Sequence, residues 1–415
     1  MSDLTLRTLS NGVTLIAEPL DSVASIALSW LLPVGSATDT DATDGYATML
    51  SELLFRGAGD LDSRAHSDAL DRLGVQRSSN VRAYHLGLGT TFLADRLGDA
   101  LPLITSMITA PRLADDAVDP VRSLALQTLE SLEDDPQHQV SLLLRSRFRA
   151  APFNRHGYGR AEVLEGATGE DLRGAWQSRA VPGGTILSAA GCFDVDVLAA
   201  QLESLLEGWG GASVEPVETE EAEGGYAFHQ QDTAQVHLAF ACPAPNAASE
   251  DRGLEQLALA VLSGSTSGRL FTEVRQKRSL CYSVSASYRA GRDDGIVMGY
   301  AGTTPQRAQE TLDVCFAEFE RMQSGATLEE FERARIGLKT RIVMSGESTV
   351  ARAGRLGGEV FALGRARTLD EILAGIDAIS LDELNAYLAR RSFGPFTVAS
   401  IGPEPLQVPT TVGAG

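Results

Sequence analysis

Two polar side chains seven residues apart, Arg275 and Tyr282, lie in the segment SGRLFTEVRQKRSLCYSVSASY, which runs from Ser267 to Tyr288. A guanidinium presents fixed hydrogen-bond donors to a peptide carbonyl, and a phenol can donate one hydrogen bond to a developing oxyanion. Judged by spacing alone, Arg275 is more simply one of four basic residues on an exposed helix, and Tyr282 an aromatic residue of a strand core. The surrounding sequence must decide between these two interpretations.

Histidines are the next candidates for chemistry. Two histidines four residues apart on one helix face can bind a single Zn²⁺, but no pair among the six histidines has this spacing. Each is better explained as a loop residue or a hydrogen-bonded core residue than as a metal ligand. They are His66, His85, His138, His156, His229 and His237. The four cysteines also stand singly, without C-x-x-C spacing, which predicts reduced thiols used in packing: Cys192, Cys242, Cys281 and Cys315.

The composition excludes several classes of protein. A chain of 415 residues with 43% hydrophobic and 22% charged residues is typical of a packed globular protein with two or three domains. Its formal net charge of −20 repels phosphate backbones, so we expect no nucleic-acid partner. We also expect no membrane segment, because no stretch reaches the roughly 18 uninterrupted apolar residues of a membrane helix. The N-terminus lacks the pattern of an export signal, and together these features predict a soluble, cytoplasmic protein.

The order of patterns along the chain suggests one unit used twice. Near the end of the first half, the helical stretch TGEDLRGAWQSRAV precedes the strand GTILSAAG, and near the end of the second half SLDELNAYLARR precedes FTVASIG. Aligning Thr185 with Thr397 separates the copies by about half the chain, as an internal duplication would. Between them, glycines and five glutamates interrupt the apolar periodicity. We predict an N-terminal domain over 1–207, an acidic Gly-rich linker over 208–225 and a C-terminal domain over 226–415.

Within each half, strands are followed by runs of helices rather than alternating with single helices. This order predicts an α+β fold of two homologous two-layer α/β domains. The patterns that matter most for chemistry predict a helix over Tyr46–Gly57, a short helix over Arg269–Leu280 and strands over Tyr282–Tyr300. Long helices are predicted over about 117–133 in the first half and 327–344 in the second.

The helix from Gly45 to Gly57, GYATMLSELLFRG, resembles the signature helix of the M16 metallopeptidases, the pitrilysin/insulinase-type or inverzincin family. In that family H-x-x-E-H lies between a Gly-x-Ala start and a Phe-Lys/Arg-Gly end; the histidines bind Zn²⁺, and the Glu is the general base. Here Thr48 and Glu52 replace the two histidines and Ser51 replaces the base. Thr128 occupies the position of the third ligand, a Glu on a later helix. One remaining carboxylate cannot hold zinc, so we predict no metal at this locus.

The segment around Arg275 resembles the family pattern R-L-F-x-x-x-R-x-K-x-x-L-x-Y-S-V. The resemblance implies that Arg275 and Tyr282 bind the substrate backbone and help to stabilise the transition-state oxygen, and that Phe271 lines the same pocket. With the whole segment matching, we favour the functional interpretation over the structural one. The resemblance extends over essentially the full chain, including the duplication.

The resemblance implies a particular role, that of the zinc-less subunit in the bacterial two-domain branch of the family. Such a subunit supplies Arg and Tyr for peptide binding in a heterodimeric metalloendopeptidase, while a homologue with intact H-x-x-E-H carries the zinc. The chain would bind no cofactor and would be inactive alone, and its negative charge would favour basic peptides. The alternative is a catalytically inactive scaffold or a peptide-binding homodimer. An independent zinc peptidase is disfavoured by the missing ligands.

Overall fold

The computed structural model describes residues 4–408, which form two compact units. Unit 1 comprises residues up to 131 together with 151–219 and 345–368, and unit 2 comprises 132–150, 220–344 and the residues from 369 onwards. Each unit therefore includes one segment from the other half of the sequence. The domain boundaries predicted at 1–207, 208–225 and 226–415 follow the repeat in the sequence and not these two units. They stay a prediction.

The first half of the chain contains eight strands and eight α-helices among the described residues. The strands are β1 (Thr5–Thr8), β2 (Thr14–Pro19), β3 (Ser25–Leu32), β4 (Gly57–Ala58), β5 (Leu61–Asp62), β6 (Gln76–Val81), β7 (Leu86–Leu93) and β8 (Ile186–Gly191). The helices are α1 (Tyr46–Leu53), α2 (Ser63–Arg72), α3 (Leu97–Thr109), α4 (Asp115–Glu133), α5 (Pro136–Phe148), α6 (Ala161–Gly166), α7 (Gly169–Arg179) and α8 (Val195–Leu205).

The second half contains strands β9 (Tyr226–Gln230), β10 (Val236–Ala244), β11 (Cys281–Ala290), β12 (Gly295–Thr303) and β13 (Thr397–Gly402). Its helices are α9 (Arg252–Ser263), α10 (Ala308–Arg321), α11 (Leu328–Gly346), α12 (Thr349–Leu363), α13 (Leu369–Asp377) and α14 (Leu381–Arg390). The short helix predicted over Arg269–Leu280 is a π-helix over Phe271–Lys277. None of the helices described between residues 4 and 408 is both long and apolar enough to cross a lipid bilayer.

The two main sheets repeat one topology. Sheet 1 has the order β1-β2-β8-β3-β7-β6, and sheet 2 has the order β9-β13-β10-β12-β11. In each sheet the pair β2/β8 or β9/β13 is parallel, and every other neighbouring pair is antiparallel. Among the described strands of these two sheets, only β1 has no counterpart. The predicted α+β fold of two homologous α/β domains is confirmed.

In both main sheets the central strands bury the side chains of both faces. Each sheet therefore needs two covering layers. On β10, Leu238 and Phe240 point into the main core of unit 2, whereas Ala239 and Ala241 pack under α5 with Val140. In unit 1 the equivalent second layer is α12. Leu356 and Val360 of this helix pack against Ile16 and Ile186 of the sheet.

Small residues and one buried ion pair hold α12 on sheet 1. Ala353 packs against Ala27 and Ala190, and a Cβ on Gly357 would lie only 2.9 Å from the Ser188 hydroxyl oxygen. Glu18 of β2 is fully buried, and its carboxylate accepts a 2.6 Å hydrogen bond from Arg352. The helix therefore supplies the positive charge that Glu18 requires.

We expect Arg352→Ala to destabilise the protein by about 3 kcal/mol, because it removes the closer cation of the buried Glu18 carboxylate and leaves the more distant Arg355, at 3.9 Å. Chemical denaturation followed by circular dichroism measures the change. Arg7→Ala is the matched control, since the Arg7–Asp196 pair has side chains 44% and 80% exposed and should change stability by less than about 1 kcal/mol. Equal effects of the two substitutions would contradict the anchoring role of the buried pair.

Candidate functional site

Helix α1, which carries three of the four predicted site positions, is held at its N-terminus by Asp39. One oxygen of this carboxylate accepts hydrogen bonds from the backbone N–H groups of Gly45 and Ala47, at 3.2 and 3.3 Å. The other oxygen lies 2.5 Å from the Arg179 guanidinium. Burial raises the pKa of Asp39, and Arg179 opposes that rise. Gly45 has φ +105° and lies against Gly159, so a side chain at this position would be strained and would clash.

Three of the four residues at the predicted ligand and base positions carry hydroxyl groups, and these hydroxyl groups make hydrogen bonds within the protein. Thr48 donates a hydrogen bond to the carbonyl of Gly157, and buried Ser51 donates one of 2.9 Å to the carbonyl of Thr48. Thr128 is exposed on α4, and its hydroxyl donates to Leu124 at 2.8 Å. Glu52 is exposed on α1. Among residues 4–408, no three His, Cys, Asp or Glu side chains are grouped so that they could hold a metal ion.

The four basic residues from Arg269 to Arg278, in and next to the π-helix, differ in their partners. Arg269 is buried and binds Glu330 through two hydrogen bonds of 2.7 and 2.9 Å. Lys277 and Arg278 both bind the carboxylate of Glu273, at 2.7 and 2.8 Å, and the resulting hydrogen bonds lower the pKa of Glu273. These three cations therefore have structural roles within unit 2.

Arg275 differs from these three neighbours. It is exposed, its guanidinium carbon lies 5.0 Å from the centre of the Phe271 ring, and it has no carboxylate partner among the described residues. Stacking on the aromatic face orients the guanidinium without occupying its donors. Sequence spacing could not separate Arg275 from the other basic residues, because the separating feature is the position of two acidic partners. One of these, Glu330, comes from a distant part of the chain.

Tyr282 is exposed because β11 contains a bulge. Strand β11 pairs with β12 at Cys281 and again at Ser283, and the register shifts between these two residues. Strict alternation would place Tyr282 on the same face as Val284 and Tyr288, which pack against the core of unit 2. The bulge instead leaves Tyr282 60% exposed, on a strand at the edge of sheet 2. The structural interpretation of Tyr282 as a core aromatic is therefore wrong.

The connection between the π-helix and β11 is short and fixed. The backbone N–H groups of Ser279 and Leu280 donate to the carbonyls of Arg275 and Val274, each at 3.0 Å, and Ser279 has φ +52°. Burial raises the pKa of the Cys281 thiol to about 11, and the nearby positive charge of Arg275 acts against this rise. The Arg275 carbonyl is thus hydrogen-bonded to Ser279, three residues before Tyr282. The arrangement offers an oriented cation and a phenol at one end of an edge strand, where both can donate hydrogen bonds to a peptide.

Two family models match successive parts of the chain. Residues 13–159 match the insulinase model of peptidase family M16, and residues 166–338 match the model of the peptidase M16 inactive domain. The chain belongs to the M16 peptidase family. The resemblance to the M16 family noted in the sequence is confirmed.

Relatives of this M16 chain match it along most of its length. A protein described as an uncharacterized zinc protease from Streptomyces coelicolor is 28% identical over 391 residues, covering 91% of this chain and 85% of that protein. One with the same description from Bacillus subtilis is 26% identical, covering 96% and 98%.

Solved structures show the same fold. A peptidase M16 inactive domain from Pseudomonas fluorescens superposes with a TM-score of 0.88 at 20% identity, covering 98% of this chain and 99% of that chain. A chain of complex III2 from Candida albicans gives 0.81 at 19% identity, covering 97% and 96%.

The Arg269–Glu330 pair predicts a particular dependence of stability on pH. Hydrogen bonds from Arg269 lower the pKa of Glu330 from 4.5 to about 2. A lowered folded-state pKa stabilises the fold above pH 4.5, and this contribution is lost as the pH falls towards 2. We expect Glu330→Gln to be less stable than wild type at neutral pH, on the order of 2–3 kcal/mol. The difference should shrink between pH 4.5 and 2.

Denaturation curves recorded at several pH values test this prediction. Glu329→Gln is the control, because the Glu329 side chain is 89% exposed beside the same helix start. Its stability difference from wild type should be small throughout. A Glu330→Gln difference that stays constant down to pH 2.5 would show that the pair is not a source of acid sensitivity.

Proposed function

We propose that this chain is the zinc-less, substrate-binding subunit of a heterodimeric M16 metalloendopeptidase. The observation that carries the proposal is the exposed Arg275, stacked on Phe271 and without a carboxylate partner among residues 4–408, close to the bulge that exposes Tyr282. A scaffold does not require an oriented guanidinium and a phenol facing solvent. A peptide-binding site requires both types of donor.

In this proposal the partner is an M16 homologue with an intact H-x-x-E-H motif. Its bound zinc would supply an activated water, with the adjacent Glu as the general base. The present chain supplies binding and charge stabilisation. Arg275 donates to a carbonyl of the peptide backbone, and Tyr282 donates to the oxygen that becomes negative in the transition state.

The substrate in this proposal is an extended peptide. β11 lies at the edge of sheet 2, and edge strands can pair with an added peptide strand through main-chain hydrogen bonds. Such pairing selects weakly for side-chain sequence. The net charge of −20 favours basic peptides among those that fit. We also propose a cytoplasmic location, which the four free cysteines support.

Co-expression with the zinc-bearing homologue and an assay of peptide hydrolysis test the proposal. We expect Arg275→Ala and Tyr282→Phe each to lower kcat/KM by at least about tenfold, because each removes a hydrogen bond to a charged or developing-charge group. Tyr282→Phe should act mainly on kcat, since its bond strengthens in the transition state.

Arg64→Ala is the matched control for this assay. Arg64 is an exposed arginine on α2, so its removal changes the net charge by the same amount as Arg275→Ala without altering β11 or the π-helix. Its hydrolysis rate should stay within about twofold of wild type. If Arg275→Ala and Tyr282→Phe complexes also cleave at the wild-type rate, the chain is a scaffold or a peptide binder and not a contributor to catalysis.

Metal analysis of the separately purified chain gives a second prediction. Because the ligand positions hold Thr48, Glu52 and Thr128, we expect far less than one zinc per chain after dialysis against buffered zinc. The co-purified heterodimer should contain about one zinc, all of it on the partner. Near-stoichiometric zinc on the isolated chain would reverse the assignment of subunits.

A further inference from the structure

Strand β11 carries three small polar side chains at alternate positions on one face of sheet 2. Ser283, Ser285 and Ser287 are all exposed. The register places them on the same face as Tyr300 and Met298 of β12, which are half-buried. Helix α5 lies over β9, β13 and β10, at the other end of this sheet. We call the area formed by these five residues the β11–β12 face.

Tyr300 is the largest side chain of this face, and its position is fixed. Its hydroxyl oxygen lies 2.9 Å from Nδ1 of His237 on β10. The hydroxyl also lies over Gly302, where a built Cβ would be 3.0 Å from it and 3.2 Å from the hydroxyl oxygen of Ser283. Gly302 pairs with Ser283, whereas Tyr300 itself pairs with Ser285. The Tyr300 side chain therefore extends beside both serines.

The corresponding face of unit 1 has the opposite distribution of large and small residues. There the inner strand β7 carries Gly87 and Gly89, and the outer strand β6 carries Asn80 and Ser78 beside them. A Cβ at Gly87 would lie 2.9 Å from the side-chain oxygen of Asn80, so the outer strand covers the inner one. In unit 2 the outer strand has the small residues and the inner strand the large ones. The duplicated fold by itself therefore does not require the β11–β12 face.

The main chain of β11 determines where a peptide strand can pair with it. The backbone N–H of Ala286 donates a 2.8 Å hydrogen bond to the hydroxyl of Ser263, at the end of α9, so this N–H points away from β12. Peptide groups alternate in direction along an antiparallel strand, so those of Val284 also point towards the edge. Ser263 occupies the edge at Ala286, and Tyr282 lies on the other side of Val284. The pairing segment is therefore centred on Val284.

We infer that the β11–β12 face selects extended peptides that carry two large apolar side chains at alternate positions. When a peptide residue pairs with Val284, the residues before and after it lie opposite Ser283 and Ser285. Their side chains then lie on the β11–β12 face, where the short serines leave room for contact with Tyr300 and Met298. Burial of apolar surface favours phenylalanine or leucine over alanine at both positions. The inference rests on the proposed peptide binding at β11 and adds the class of substrate.

Calorimetric titration of the full 415-residue chain with three capped pentapeptides tests the inference. The first is acetyl-Lys-Phe-Thr-Phe-Lys-amide, the second has alanine in place of both phenylalanines, and the third is the isomer acetyl-Lys-Phe-Phe-Thr-Lys-amide. We expect the first to bind at least about tenfold more tightly than the second, because two large side chains leave water. It should also bind at least about threefold more tightly than its isomer, since adjacent residues of a strand point to opposite faces.

A pair of matched variants locates the selectivity on this face. Ser285→Gln places a longer, polar and uncharged side chain in the space beside Tyr300, so it should reduce the preference for phenylalanine over alanine to less than about threefold. Position 285 is exposed, so the strand should stay folded, and circular dichroism checks this. Ser78→Gln is the control, because Ser78 is an exposed serine on the edge strand of sheet 1. It should change each affinity less than twofold.

Binding by the separate chain and hydrolysis by the complex distinguish this inference from the proposed function. If the peptides bind with the expected selectivity but hydrolysis does not depend on Arg275 and Tyr282, the catalytic role fails and the inference stands. The inference is overturned if the first peptide does not bind, or binds no more tightly than the alanine peptide or the isomer. Unchanged selectivity of Ser285→Gln, or loss of selectivity in Ser78→Gln, would also overturn it.

Discussion

Burial of both faces of each central sheet is the constraint on which the rest of the fold depends. In β8 and in β13 all six residues are buried, so neither strand has a face that can be left to solvent. Helices from the same half cover one face only. The second face is covered by α12 in unit 1 and by α5 in unit 2, and each of these helices comes from the other half of the sequence. Neither half of the sequence therefore contains all the layers of its own unit.

This constraint marks the limit of what the sequence could predict. The order of strands and helices and the repeat of the strand-ending pattern predicted the α+β duplication correctly. The apolar residues Leu356 and Val360 of α12 stand four residues apart, a spacing typical of one buried helix face. They could not predict which sheet that face covers, because periodicity identifies the buried side of an element and not its partner. The partner was decided by features distant in sequence, including the Glu18–Arg352 pair.

The candidate site shows the same limit at the scale of single residues. Strict alternation along β11 would place Tyr282 on the face that packs against the core. Only the bulge between Cys281 and Ser283 exposes it. Arg275 has the same residue type as its neighbours, and only the positions of Glu273 and Glu330 separate it from them. Resemblance to the family pattern indicated both residues. The physical reasons for their exposure became visible only in three dimensions.

The residues of the two family segments have different physical explanations. In α1, Tyr46, Met49, Leu50 and Leu53 are buried, so core packing alone accounts for the apolar frame of the helix. The hydroxyls of Thr48 and Ser51 make hydrogen bonds within the protein. No such account applies to Arg275 and Tyr282. Their side chains face solvent, and the core of unit 2 would pack equally well with other residues there. The proposed peptide binding gives an oriented cation and an exposed phenol at a bulge a physical role that core stability does not supply.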